Sequence, residues 1–188
     1  MILREFVPDD LEDIIALHRD PRVTALLIDT APNSRLIGDV YLRWAADIYA
    51  RDDVGPLHAA AKSTGAFAGS FSLVRDDASG HLELGGRLYP EYWGTGLAFE
   101  GGAALVDHAF AIRKEPALCS LGHPGNRAID FVLARLGFIP SGFRTAFGQR
   151  AIEWTQTRDA WSLRERQPLS RRDAMKIATN RRKLRDDP

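Results

Sequence analysis

The sequence predicts an α+β fold: one domain with a sheet in the middle and helices packed on it. Three observations predict it. The apolar residues recur at helical spacing near the start, switch to strand-like alternation in the middle, and return to helical spacing later. Turn-forming clusters separate these segments. The 188 residues, 45% hydrophobic and 27% charged, suffice for one well-buried core with a little chain left over.

Leu3 to Val7 reads as a short strand. Asp9 or Asp10 then caps a helix with Leu11, Ile14, Ile15 and His18 on one face, and Pro21 ends it. Ser34 starts a second helix whose stripe is Ile37, Val40, Tyr41, Trp44 and Ile48. Leu57 to Lys62 and Ala66 to Val74 read as strands around the turn Ser63-Thr64-Gly65. A second turn, Asp76 to Gly80, leads into a third strand, His81 to Leu88. Tyr89 to Gly96 is rich in helix and strand breakers. The following helix, Leu97 to about Ile112, is apolar nearly all round, which predicts burial. Leu118 to Leu121 is a short buried strand. Asn126 caps a helix carrying Ile129, Val132, Leu133 and Leu136, and Gly137 stops it. Two strands follow, near Arg144–Gly148 and Ala151–Thr157.

Composition excludes several classes. The single cysteine, Cys119, excludes an intrachain disulfide framework and any zinc site built on two or more thiolates, and no metal is expected. Cys119 itself reads as a small buried apolar residue. No apolar run approaches the roughly 18 residues of a membrane helix. The first residues lack the apolar stretch of a signal peptide. A soluble cytoplasmic protein without a membrane partner is expected, as a monomer or homodimer. The net charge is zero but unevenly placed: residues 162–188 carry nine Lys/Arg against four acids. That asymmetry puts a boundary near Trp161, between a domain over 1–161 and a basic extension over 162–188. Such an extension is first of all a solvated tail. A nucleic acid is the weaker of the partners it suggests.

No phosphate-binding P-loop, His-Glu-x-x-His or Gly-x-Ser-x-Gly motif is present. What remains is a strand, a glycine loop and a helix start: Leu82–Leu88, then Trp93-Gly94-Thr95-Gly96-Leu97-Ala98. Glycines let a ligand approach the backbone. Free amides at a helix N-terminus attract phosphate oxygens.

The order of elements around that loop is more specific. Glu83-Leu84-Gly85-Gly86-Arg87-Leu88 runs into Pro90-Glu91-Tyr92-Trp93-Gly94-Thr95-Gly96-Leu97-Ala98-Phe99-Glu100. Asn126-Arg127-Ala128 comes about 30 residues later, with Leu136-Gly137-Phe138 closing its helix. With Leu3-Arg4 and Pro8-Asp9-Asp10 at one end and Trp154 to Trp161 at the other, the chain resembles the GNAT superfamily of acyl-CoA-dependent N-acetyltransferases. The wording is closest to the ribosomal-protein, RimJ/RimL-type branch, over roughly residues 2–161.

The resemblance implies a mixed, mostly antiparallel sheet with helices on both faces and a splayed parallel strand pair that binds CoA. It implies acetyl-CoA as the cofactor. Its pyrophosphate would rest on the backbone of Trp93, Gly94, Thr95, Gly96, Leu97 and Ala98. Its pantetheine arm would lie near Gly86, Arg87 and Leu88 on one side and Leu118–Leu121 on the other, with Asn126 bonded to it. The implied reaction is acetyl transfer to a primary amine, of a protein N-terminus or of a small molecule. Glu83 is the candidate base, placed on the strand that feeds the loop and on one face with His81. The family's usual proton donors are a Tyr or a Ser on the Asn helix. Those positions here are Leu133 and Ile129, both on an apolar stripe. Tyr92, Ser120 and His123 are the remaining candidates, Tyr92 foremost. Thr24–Arg35 and Thr145–Arg150 border the acceptor side, with Asp29, Arg35 and Arg144 as possible contacts. The alternative reading is a non-catalytic acyl-CoA-binding module with a basic interaction tail.

Overall fold

The computed structural model describes residues 1–29 and 35–166, with side chains over 1–29 and 38–163. Ser34, the side chains of Arg35 and Ile37, and the tail beyond residue 166 lie outside the described residues.

The elements run β1 (Ile2–Glu5), α1 (Leu11–Arg19), α2 (Pro21–Thr24), α3 (Arg35–Asp52), β2 (Pro56–Ala60), β3 (Phe67–Arg75), β4 (Leu82–Leu88), α4 (Leu97–Asp107), β5 (Ala117–Gly122), α5 (Arg127–Leu136), β6 (Ile139–Ala146), β7 (Gln149–Thr157) and α6 (Arg158–Arg166). The seven strands form one sheet in the order β1-β2-β3-β4-β5-β7-β6. Every neighbouring pair is antiparallel except β4 and β5. The α+β expectation and the mixed, mostly antiparallel sheet are both met.

The two faces of the sheet are buried by different helices. The larger core joins Phe71, Leu82, Leu84, Leu118, Ile152 and Trp154 of the strands to Val106 and Phe110 after the glycine loop and Leu133 of α5. A smaller cluster on the other face packs Phe6 with Leu11, Ile14 and Ile15, supported by Tyr41 and Phe67. Full burial of a Leu, Ile or Phe side chain contributes about 1.5–3 kcal/mol, so each cluster is a substantial anchor for its helices.

Several local expectations change. Asp10 stands before α1 but makes no bond to it. Its carboxylate accepts instead from the Val7 amide at 2.8 Å and from Arg4 at 2.6 and 2.8 Å. It thereby closes a short 3₁₀ turn over Pro8–Asp10. The apolar stripe of α3 is turned outward at Val40 and Trp44, 52% and 41% exposed, and the helix buries Gly38, Ala45 and Ile48. The reason is close approach to α1. A Cβ on Gly38 would stand 2.7 Å from Leu11 Cδ1. A small residue is therefore needed where α3 meets α1, and the helix is turned so that Val40 and Trp44 face away.

Strand β6 begins at Ile139, five residues before the expected start. Pro140 and Gly142 flank a bulge on an edge strand, where no ladder bond from Pro is needed. The chain then turns at Phe147-Gly148 instead of continuing as strand. Asn126 caps α5 through Ile129 N at 3.2 Å, and Gly137 stops it at φ +114°, as the sequence predicts. Helix α6 runs through Trp161, where the charge asymmetry places a boundary. The Trp161 indole donates to Asp107 at 3.0 Å and tilts against Phe110.

Candidate active site

The parallel pair β4–β5 is joined at only two register positions, Leu82 with Leu118 and Glu83 with Cys119. Beyond them the backbone ladder stops. The Ser120 hydroxyl, not an amide, donates to the Leu84 carbonyl at 2.8 Å. Each strand keeps its outer partner, β3 or β7, so the two diverge. A cavity of about 260 Å³ opens in the gap. Its lining comes from both faces of the sheet: Ala98, Asn126 and Ile129 from the α4–α5 side, Asp29, Tyr41 and Trp44 from the other. The cleft therefore passes between the strands, and two reactants can meet in it from opposite sides. A shallower groove of about 560 Å³ on α1 and α2, around Arg19 and Arg22, is open and lacks convergent chemistry.

Glu83 lines this cleft just where the strands part. Burial pushes its carboxyl up to about 7; the Asp76 and Asp29 carboxylates push the same way, and Arg144 and Arg87 pull it back. A carboxyl poised near neutrality is suited to taking a proton. Asp76 stays ionised despite its burial, because Arg144 donates to it at 2.9 Å and Ser79 donates both N–H and O–H.

Arg87 lies two positions after Gly85 on the Glu83 face of β4. Its guanidinium donates to Asp29 at 2.6 Å and to His18 Nε2 at 2.8 Å. An arginine only donates, so His18 Nε2 accepts and the ring is neutral. Burial, then Arg87, hold the His18 pKa down to about 3. Arg87 is thus committed to the cleft wall formed by Asp29 and His18, while Leu88 is buried in the larger core.

The loop after β4 is built for close backbone approach. Gly94 and Gly96 sit at φ +73° and +92°, with nothing within 4 Å of where a Cβ would be. The Trp93 indole donates to the Leu88 carbonyl at 2.8 Å, and Thr95 Oγ1 donates to the Tyr92 carbonyl at 2.7 Å. The first helical bond of α4 runs from Glu100 N to Gly96 O. The amides of Gly94 and Thr95 have no backbone partner among the described residues, and the first-turn amides of α4 have none within the helix. Open amides at the start of an eleven-residue helix, beside an open strand edge, fit a ligand with a pyrophosphate and an extended amide-bearing arm. Acetyl-CoA has both.

The structure brings Glu83, Gly86, Arg87, Ala98, Ser120, His123 and Asn126 to the cleft wall. Trp93, Gly94, Thr95, Gly96 and Leu97 form the loop beside it. Tyr92 leans on the larger core and is not in the lining. Ser120 spends its proton on Leu84. His123 Nδ1 accepts from Gly125 N at 2.9 Å, which leaves Nε2 to carry the proton of the neutral ring. Leu133 and Ile129 both line the cleft as apolar residues. Cys119 is 1% exposed and outside the lining, and burial pushes its thiol up to about 11. Asp10, Asp13 and His58 gather elsewhere, but Arg4 already occupies both oxygens of Asp10. Sequence reasoning missed the cleft roles of Tyr41, Trp44 and Phe147. The first two read as core, and Phe147 reads as strand.

Comparison with known proteins agrees with this geometry. Residues 1–139 match the family model described as an acetyltransferase (GNAT) domain. Among solved structures, an acetyltransferase from Agrobacterium tumefaciens is similar at TM-score 0.70 and 23% identity, covering 82% of this chain and 88% of that one. A ribosomal-protein-S5-alanine acetyltransferase from Vibrio fischeri matches at TM-score 0.69 and 17% identity, covering 85% and 93%. A spermidine N-acetyltransferase from Vibrio cholerae, in complex with CoA and spermine, matches at TM-score 0.70 and 14% identity, covering 86% and 97%. At these identities the structures show the shared fold. The family model covers most of the chain, and on that ground the protein belongs to the GNAT acetyltransferase family and is an acetyl-CoA-dependent N-acetyltransferase.

Proposed function

We propose that the acceptor is a primary amine, of a protein N-terminus or a small molecule, and that Glu83 is the base that takes its proton. The observation that carries this reading is the place of Glu83, a half-buried carboxyl lining the cleft at the point where β4 and β5 part. When bound, acetyl-CoA supplies an activated acetyl thioester. The residues that would hold it are the backbone of Trp93–Ala98, the open edge of β4 at Gly86, and Asn126. Both kinds of acceptor occur among the similar structures: one is named for a ribosomal protein's alanine, another for spermidine. The ribosomal-protein, RimJ/RimL-type branch remains the closest reading of the loop wording.

Amine chemistry favours an N-terminus over a lysine. At pH 7 roughly one α-amine in ten is neutral, against roughly one lysine in 2500. A base near pKa 7 can make up the smaller deficit. On the leaving side, a thiolate of pKa about 8.5 can depart without a proton donor, and the His123 Nε2–H is placed to donate it a hydrogen bond, since Ser120 is committed to Leu84 and Tyr92 lies outside the lining.

The test is Glu83→Gln. Turnover should fall by about a hundredfold at pH 7 with acetyl-CoA affinity unchanged, and the gap should narrow toward pH 9. An equal loss at both pH values would sink the base assignment.

A further inference from the structure

The hairpin joining β6 to β7 turns on two residues, Phe147 and Gly148, between the paired Ala146 and Gln149. Both have positive φ, +50° and +74°. This is the turn in which Asn, Asp or Gly is preferred at the first position. A bulky residue with positive φ is a genuine outlier. Nothing repays the strain by burial, because Phe147 is 62% exposed. Its ring instead lines the rim of the cleft.

Two other exposed apolar side chains line the same opening: Trp44 from α3 and Leu26 from the segment after α2, each 41% exposed. Three separate elements thus present large apolar groups at one mouth. They stand on the acceptor side, with Asp29 and Tyr41. Gln149 Nε2 reaches the Ile28 carbonyl at 3.5 Å, so the hairpin tip is held over the 26–29 segment. Charge tells the same story. Among the described residues, the acids of the cleft lining are Asp29 and Glu83. Asp29 is neutralised by Arg87 at 2.6 Å. A polycation would find one uncommitted carboxyl.

We propose that Phe147, Trp44 and Leu26 form an apolar clamp for the group attached to the acceptor amine, so that the acceptor carries an aromatic or large aliphatic group beside its amine. This rests on the amine-transferase reading above and narrows it. Strain is retained at Phe147 because the ring is needed where the turn puts it. The same chemistry describes a small arylalkylamine and a peptide with an apolar first residue.

The experiment compares kcat/KM for four acceptors: 2-phenylethylamine, a hexapeptide beginning with Phe, the same peptide beginning with Gly, and spermidine. It does so in the wild type, Phe147→Asn and Trp44→Ala, with melting temperature and the calorimetric Kd for acetyl-CoA measured alongside. The wild type should prefer an aromatic acceptor to both the Gly peptide and spermidine by about tenfold or more. The better of the two aromatic acceptors identifies the source, small amine or peptide. Phe147→Asn should raise the melting temperature, because Asn suits the turn, and leave the acetyl-CoA Kd unchanged. It should also lose the aromatic preference by about tenfold. A merely structural phenylalanine would not give that pairing of higher stability with lower specificity. Trp44→Ala should reduce the same preference. Spermidine or the Gly peptide used as well as the aromatic acceptors would overturn the clamp and leave the transferase reading intact. An aromatic preference unchanged in both variants would do the same. Transfer to none of the four, by folded protein that binds acetyl-CoA, would overturn both.

Discussion

Glu83 gives up solvation on folding, and that has a sign and a pH window. Its folded pKa, about 7, lies above the ordinary 4.5. The native state therefore holds the proton more tightly than the unfolded chain. The stability this contributes is fully present below about 4.5 and is lost as pH rises through about 7. At 1.36 kcal/mol per pKa unit the total is about 3 kcal/mol. Denaturant titrations at several pH values should show the wild type losing stability relative to Glu83→Gln across that window. A difference that stays flat with pH would contradict the burial. The place of Glu83 on the strand before the glycine loop was legible in the sequence. Its poise was not, because Asp76, Arg144 and Asp29 reach it from three other parts of the chain. Phe147 was illegible for a different reason: an aromatic residue in an alternating stretch reads as strand, and only the backbone reveals the turn.

Elements with strong local signals were legible: the β2–β3 and β3–β4 hairpins, the Asn126 cap, and the stop at Gly137. Those misread were settled by a neighbour. Helix α3 is rotated by its contact with α1 at Gly38, and β6 absorbs Pro140 because it lies on the sheet edge. The glycine loop was legible as a tight turn between strand and helix, and its geometry gives a sharp expectation. Gly96 sits at φ +92° in open space. Gly96→Val pushes a β-branched residue into that region at a cost of order 1–3 kcal/mol. The loop should shift and acetyl-CoA affinity should fall at least tenfold, while the circular dichroism of the fold is retained. Unchanged affinity would remove the loop from the cofactor site.

At the scale of the whole molecule, the gap between β4 and β5 opens a cleft lined from both faces of one sheet. Cys119 is buried away from the cleft and Ser120 is tied to Leu84, so neither is positioned to carry an acetyl group between the two sides. Transfer should be direct. Initial-velocity plots against both substrates should intersect; parallel lines would mean an acetylated protein intermediate. The far end of the domain is closed by α6, pinned where Trp161 meets Asp107 and Phe110. Trp161 is half-buried, so Trp161→Ala should cost less than the roughly 3–5 kcal/mol of a fully buried tryptophan, read from denaturant unfolding midpoints. Among the described residues no helix is long and apolar enough to cross a membrane.

The early end of the β4–β5 ladder has one more consequence. Backbone amides that face the gap, past Glu83 on one strand and Cys119 on the other, lack the inter-strand bonds that slow exchange with solvent deuterium. The seam at the centre of the sheet is therefore its fast-exchanging line, although it lies among the most interior strands. A ligand seated there replaces the missing strand partner. Exchange slowed along this seam, residue by residue, would map cofactor occupancy without any knowledge of the acceptor.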